Sequence, residues 1–226
     1  GDIGTEVARR MWVSIQLALP IFILQIIASV SFALLLVMFR HTTLDLVGVV
    51  FCVVMLSISA LFYIIVGQYL FSRVLRLVPI SGYTGGLDLL RFLVLPVILS
   101  AIARLGTEAR LYRAMFLEEI GKDYVRTARA KGLAETAVLF RHVLRNAMIP
   151  ILTNVGLALP GIFVGSFLIE VFFSIPGLGR EVLLAVNRSD YPVIQAVTVY
   201  LAVITMLINL IVDLCFKLVD PRVVLK

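Results

Sequence analysis

Five long apolar stretches constrain the fold of this 226-residue chain more than any other feature. They cover residues 11–39, 44–70, 89–109, 148–173 and 193–214. Each is long enough to cross a ~30 Å hydrocarbon core as a helix, which takes roughly 20 residues. Charged residues make up 15% of the chain, whereas soluble domains carry about 25%. The sequence therefore predicts an all-α polytopic membrane protein with five spans.

The distribution of basic residues predicts the orientation. Thirteen of the 20 Lys and Arg residues fall on one side of the five spans and seven on the other. Because basic loops stay in the cytoplasm, we expect Gly1 outside and Lys226 inside, with residues 117–146 also in the cytoplasm. The net charge of +6 then reflects membrane topology, so we expect contact with lipid and no binding of nucleic acid.

Residues 118–146, EEIGKDYVRTARAKGLAETAVLFRHVLRN, carry the most informative pattern. Apolar residues follow helical spacing only loosely before Gly132 and more tightly after it, which predicts two short helices separated by a glycine at positive φ. Ala128, Ala130 and Gly132 form a strip of small residues among the charges, which favours close approach by a partner. The charges alone are equally typical of a solvated loop that only determines topology.

Four motifs occur in order along the chain. They are GDIGT at residues 1–5, YVRTARAKGL at 124–133 with HVLRNAMIPI at 142–151, FFSIPGLG at 172–179 with DYP at 190–192, and LVDPR at 218–222. Together they resemble permease subunits of binding-protein-dependent ABC importers, in the dipeptide, oligopeptide and nickel branch. The second motif resembles the EAA loop of that family: Ala128 and Gly132 fit its pattern, whereas Arg126 and Thr127 replace its Glu and Ala.

The resemblance implies one type I ABC importer transmembrane domain at residues 1–226, with a sixth span missing before Gly1. It implies a bacterial inner-membrane location, a second homologous permease, two cytoplasmic ATPase subunits and an extracytoplasmic substrate-binding protein. The ATPase-coupling helix would comprise Tyr124, Arg126, Thr127, Ala128, Arg129, Ala130, Lys131 and Gly132. ATP and Mg would bind the ATPase partners, and this chain would hold no cofactor.

The sequence carries no catalytic or metal-binding pattern. Asp123 follows Gly121–Lys122, so the phosphate-binding Walker A sequence is absent. His41 and His142 are isolated. We expect no enzyme activity.

The loop at residues 174–192 is the second candidate site, because it exceeds the about 2–8 residues of a minimal helix connection. Pro176, Gly177 and Gly179 favour a fixed turn. A short amphipathic helix should follow, with Leu183 and Leu184 on its apolar face. We expect this loop to close the outer mouth and contact the binding protein; packing on the outer rim is the alternative.

Three polar residues inside the spans leave alternatives open. Glu170 is expected at the outer gate or in an ion pair at a helix end, since intramembrane acids face a cavity or a partner. Asn154 and Asn209 are expected to hydrogen-bond between helices or to line the pathway.

An ATPase-independent channel or secondary transporter is the competing function. It would require paired acids at the membrane midplane or broken helices with exposed dipoles, and the sequence shows no paired midplane acids. An assembly subunit without a conduction role is a further alternative. Retention of an ATP-binding partner on purification would favour the importer. The sequence does not specify which solute is carried.

Overall fold

The computed structural model describes residues 2–161 and 167–219, and every regular element in that part of the chain is helical. The helices are α1 (Ile3–Met38), α2 (Thr43–Ser57), α3 (Ala60–Gln68), α4 (Leu89–Ile120), α5 (Asp123–Ala130), α6 (Glu135–Ala137), α7 (Leu144–Ala158), α8 (Phe167–Phe172), α9 (Leu178–Asn187) and α10 (Tyr191–Val219). π-Helical turns at Tyr69–Val74 and Val138–Val143 extend α3 and join α6 to α7, and a 3₁₀ turn covers Gly86–Asp88.

Three of these helices, α1, α4 and α10, are long and apolar enough to cross a membrane. Helix α4 runs on to Ile120, beyond the end predicted at residue 109. Its last turns are less hydrophobic, but they carry Tyr112 and Phe116, whose side chains are almost fully buried. Packing of these residues therefore stabilises a part of the helix that is too polar to be predicted as membrane span.

The span predicted at residues 44–70 is described as two helices. Helix α2 ends at Ser57 and α3 begins at Ala60, so the pair is either one broken span or a re-entrant loop. Ile58 lies between them with an extended backbone (φ −86°, ψ 134°), which interrupts the α-helical hydrogen bonds. Ile58 lies between Ser57 and Ser59, and neither proline nor glycine marks the break.

The fourth predicted span is described in two parts, α7 and α8. The residues between them at 162–166 and the LVDPR motif beyond Val219 lie outside the described residues. Helix α10 covers the fifth predicted span and begins at Tyr191, directly after the loop.

The chain divides into two compact units. The first comprises residues 1–22, 60–100 and 156–226 and has a core in which Leu17, Phe173 and Ile175 are fully buried. The second comprises residues 23–59 and 101–155, and its largest core cluster joins α1, α4, α5 and the helical segment from Val138 onward. Each unit contains one of the two candidate sites.

Candidate functional site

Helix α5 is a short amphipathic helix in the second unit. Asp123 supplies an acid to its first turn, where it complements the positive end of the helix dipole. Val125 and Ala128, three residues apart, are buried against the core cluster, whereas Arg126 and Thr127 are exposed. This burial places one face of α5 on membrane helices and leaves the other open to solvent or to a partner.

Burial separates the eight residues predicted to contact an ATPase into two groups. Ala128 is only 4% exposed, so its methyl group packs inward; the prediction that it lies in an accessible strip with Ala130 and Gly132 is wrong for this residue. Tyr124 is half-buried. The exposed members are Arg126, Thr127, Arg129, Ala130, Lys131 and Gly132.

Gly132 ends α5 in the conformation that the sequence predicts. Its φ is +80°, in the left-handed region that glycine adopts at helix C-termini. Its N–H donates to Arg129 O at 3.0 Å, and Lys131 N donates to Thr127 O at 3.1 Å. The prediction of two helices around a glycine is confirmed. The second helix is longer than expected, because α6 continues through the π-turn into α7.

Glu119 holds the N-terminal end of α5. Its side chain is 8% exposed, and its carboxylate accepts hydrogen bonds from Tyr124 Oη at 2.7 Å and Lys122 Nζ at 2.8 Å. Burial, with the carboxylate as acceptor, raises the pKa of Tyr124. The hydrogen bond to Glu119 raises the pKa of Lys122. The last turn of α4 is thereby bound to the first turn of α5.

Glu135 holds the opposite end of α5. Its Oε1 accepts from Arg40 Nη2 at 2.7 Å and from Arg129 Nη2 at 3.0 Å, and its Oε2 accepts from Arg129 Nε at 3.3 Å. The hydrogen bond from Arg40, helped by Arg129, lowers the pKa of Glu135 despite partial burial. The candidate residues predicted from the sequence include neither Arg40 nor Glu135. Glu135 could have been noticed as the lone acid between Arg126 and Arg145.

The second candidate site is the turn at residues 174–179 in the first unit. Glu170 is fully buried beside this turn. Its Oε1 accepts from Ser14 Oγ at 2.6 Å, and its Oε2 accepts from the backbone N–H of Arg180 at 3.1 Å. Ser14 Oγ in turn accepts from the N–H of Leu178 at 2.9 Å. Among its described contacts, Glu170 connects α8, α1 and the start of α9.

Gly177 and Gly179 make this arrangement possible by their lack of a side chain. A Cβ at Gly177 would overlap the Glu170 carboxyl group and the Ser14 hydroxyl, and one at Gly179 would lie 2.9 Å from Glu170 Oε2. The predicted fixed turn is confirmed. The turn is held by the buried carboxylate of Glu170 as well as by its own backbone conformation. The sequence did not indicate a role for Ser14, because its partners lie far along the chain.

Helix α9 confirms the short amphipathic helix predicted within the loop. Leu178 and Ala185 are its buried residues, while Leu183 and Leu184 are half-buried. Glu181 forms an ion pair of 3.1 Å with Arg10 of α1. Leu183 and Leu184 thus flank the buried face of α9 and remain partly accessible.

The two asparagines lie in different surroundings. Asn154 is half-buried, and its Nδ2 donates to Tyr112 Oη at 3.5 Å, a long hydrogen bond between α7 and α4. Asn209 is exposed on α10. The Asn154 contact agrees with the interhelical alternative, and a role in lining the pathway stays a prediction for both residues.

Within residues 2–161 and 167–219, no three His, Cys, Asp or Glu side chains gather closely enough to hold a metal ion. The carboxylates of Glu119, Glu135 and Glu170 accept hydrogen bonds from other groups of the protein. What the geometry offers is an exposed helix face in one unit and an anchored loop in the other.

Comparison with known proteins gives a match along almost the whole chain. The family model described as "Binding-protein-dependent transport system inner membrane component" matches residues 10–225. A dipeptide transport system permease protein of Bacillus subtilis is 33% identical over 222 residues, covering 98% of this chain and 71% of that protein. A dipeptide transport system permease protein of Escherichia coli is 42% identical over 137 residues, covering 61% of this chain and 40% of that protein.

Proposed function

Because the chain belongs to the family of binding-protein-dependent transport system inner membrane components, we propose that it forms half of the translocation pathway of an ATP-driven importer of peptides or related small solutes. The family places it in the inner membrane as an integral component. The names of the B. subtilis and E. coli relatives support peptides as the class of solute.

Helix α5 is the proposed contact for an ATPase subunit. The observation that carries this proposal is the division of its surface: Val125 and Ala128 pack on the core cluster, while Arg126, Ala130 and Lys131 face outward. Glu119 and Glu135 bind its two ends to neighbouring helices. A helix held in this way can receive a displacement from a bound partner and pass it to the helices beneath it.

An importer of this kind requires several partner subunits. ATP and Mg bind to two ATPase subunits on the cytoplasmic side, which is also the side of α5. A second homologous permease forms the other half of the pathway, and an extracytoplasmic binding protein delivers the solute. The excess of basic residues around α5 supports this orientation, with Gly1 outside and Lys226 inside.

Co-purification tests the ATPase contact. The ATPase subunits should stay with the wild-type chain, and Ala130→Trp should displace them by placing a bulky side chain on the exposed face of α5. Gly85→Trp is the matched control, since it adds the same side chain to the loop preceding α4, at a position where a Cβ would meet nothing within 4 Å. Equal retention by both variants would exclude α5 as the docking surface.

Uptake into vesicles distinguishes the importer from the competing channel or secondary transporter. Vesicles containing the permease, the ATPase subunits and loaded binding protein should accumulate labelled dipeptide with ATP but not with ADP. Accumulation by the permease alone, driven by an ion gradient, would favour the competing function.

The loop at residues 174–192 is the proposed outer contact. Its turn is held by Glu170 and Ser14, and α9 presents Leu183 and Leu184 beside its buried face. A loop that is anchored yet partly accessible is suited to sense a protein that binds there. We therefore assign Glu170, Pro176, Gly177 and Gly179 to holding the loop, and Leu183 and Leu184 to its contact surface.

Stimulation of ATP hydrolysis tests this assignment. Leu183→Asp and Leu184→Asp should reduce the hydrolysis stimulated by loaded binding protein and change basal hydrolysis less, because the ATPase contact lies on the other side of the membrane. Unchanged stimulation in both variants would leave the loop with a packing role on the outer rim. Equal loss of both rates would indicate misfolding, which size-exclusion chromatography detects.

A further inference from the structure

The contact between Arg40 and Glu135 joins two parts of the chain that are 95 residues apart in sequence. Arg40 lies just after the end of α1, and Glu135 is the first residue of α6. Glu135 also binds Arg129 of α5 through both carboxylate oxygens. One carboxylate therefore connects the proposed coupling helix to the end of the first long membrane helix.

Arg40 is held on its other side as well. Its Nη1 donates to Val37 O at 3.1 Å, a carbonyl in the last turn of α1. The Arg40 side chain is 17% exposed, so the protein surrounds most of it. Its guanidinium group thus connects the C-terminal end of α1 directly to Glu135, with little freedom to swing away.

Apolar contacts run parallel to this ion pair. Val125 and Ala128 of α5 belong to the same buried cluster as Ala33, Leu34 and Val37 of α1. Helix α5 and the last turns of α1 therefore share one apolar core. Any displacement of α5 must either carry this end of α1 with it or break both the apolar packing and the ion pair.

The chain itself provides no such connection. Two residues join α4 to α5 and four join α5 to α6, so covalent structure transmits motion from α5 to α4 and α7. Helix α1 precedes α5 by more than 80 residues of chain. Motion can therefore pass from α5 to α1 only through non-covalent contacts.

We propose that Arg40 and Glu135 are positioning residues that fix α5 to the end of α1, so that displacement of α5 by a bound ATPase also moves α1. This inference rests on the proposed function and adds a second route of coupling to it. The ion pair is partly exposed, and such pairs contribute little to stability. We expect the ion pair to transmit motion instead, because it determines whether α1 moves when α5 is displaced.

The test measures solute taken up per ATP hydrolysed in vesicles that contain the full complex. Arg40→Gln removes the charged group near the end of α1 that binds Glu135. It leaves the ion pair between Arg129 and Glu135 in place. Glu135→Gln removes the central charge and leaves the bond from Arg40 to Val37 O intact. Each should lower uptake per ATP about two- to thirtyfold, the range by which residues in such networks alter coupling.

Three comparisons separate transmission from a general structural defect. Arg40→Lys keeps the positive charge and should restore part of the lost uptake per ATP. The double variant Arg40→Gln/Glu135→Gln should be no worse than Glu135→Gln, because that single variant already removes the ion pair with Arg40. Arg9→Gln is the matched control: it removes an exposed ion pair of the same helix at its other end and should leave the ratio unchanged.

The inference is overturned if Arg40→Gln imports as much solute per ATP as the wild type. It is also overturned if the losses of the two single variants multiply in the double variant, since the residues would then act independently. Failure of the proposed function would appear differently: the wild-type complex itself would show no ATP-driven uptake, whereas failure of this inference appears only in the variants.

Discussion

Replacing Gly177 with alanine tests whether the turn before α9 is held by the buried carboxylate of Glu170. The φ of Gly177 is −94°, which alanine adopts without strain, so the substitution acts through space alone. The new methyl group would overlap the Glu170 carboxyl group and the Ser14 hydroxyl. Neither neighbour can withdraw without disturbing the hydrogen bonds between them.

The cost follows from two contributions. Inserting a methyl group into a packed interior costs about 1–3 kcal/mol. Displacing Ser14 or Glu170 weakens the bonds that the backbone of Leu178 and Arg180 donates to them, each contributing about 0.5–1.5 kcal/mol. We expect a total loss of about 2–6 kcal/mol, and at about 2–4 °C per kcal/mol for a domain of this size the apparent unfolding midpoint should fall by about 4–24 °C.

The assay is thermal unfolding of the purified chain in detergent, followed by the fraction that remains monodisperse. Gly85→Ala is the matched control: its backbone is extended at φ −81°, and its Cβ would meet nothing within 4 Å. Its midpoint should change by an amount equivalent to less than about 0.5 kcal/mol. Equal midpoints for the two variants would refute the interpretation that Glu170 and Ser14 pack tightly against Gly177.

The remaining predictions concern residues 118–146 and their contact with Arg40. Gly132→Val should reduce ATP-driven uptake more than Gly132→Asn does, because a φ of +80° disfavours β-branched residues most; equal uptake would show that the turn relaxes. In a background lacking Cys52 and Cys215, Ala134→Cys should resist a membrane-impermeant thiol reagent in intact cells and react in inside-out vesicles; labelling of intact cells would reverse the orientation. Since Arg40 lowers the pKa of Glu135, the ion pair contributes fully above about pH 4.3 and is lost as pH falls through the lowered value. Arg40→Gln should therefore lower the unfolding midpoint slightly at pH 7, and this deficit should shrink as pH falls below about 4.3 and Glu135 takes up its proton; a deficit that does not shrink in acid would exclude this pair as its cause.

Local patterns were sufficient for much of this protein. The apolar stretches that became α1, α4 and α10 were evident because a membrane helix needs a continuous apolar surface of fixed length. The position of Gly132 and its positive φ were also predictable, since the change in helical pattern and the residue type lie within a few residues of each other. The same holds for α9, whose Pro–Gly turn and amphipathic sequence are adjacent.

Tertiary structure decided the features that depend on distant partners. The helix of the second apolar stretch is interrupted at Ile58, which has an extended backbone, although neither proline nor glycine lies at the break. The burial of Ala128 likewise depends on the cluster beneath α5. A small residue on an amphipathic helix fits an inner or an outer face equally well, so its type alone could not show which face it occupies.

The sequence by itself determined the class of protein, its long spans and its branch of transport permeases, because hydropathy and motif spacing are properties of contiguous residues. Only the folded chain brought Ser14 to Glu170 across 156 positions and Arg40 to Glu135 across 95. A hydrogen bond requires its partners to lie within about 3 Å and in line. That condition is met in three dimensions by the packing of whole helices, and no local pattern in one segment specifies which distant segment will lie beside it.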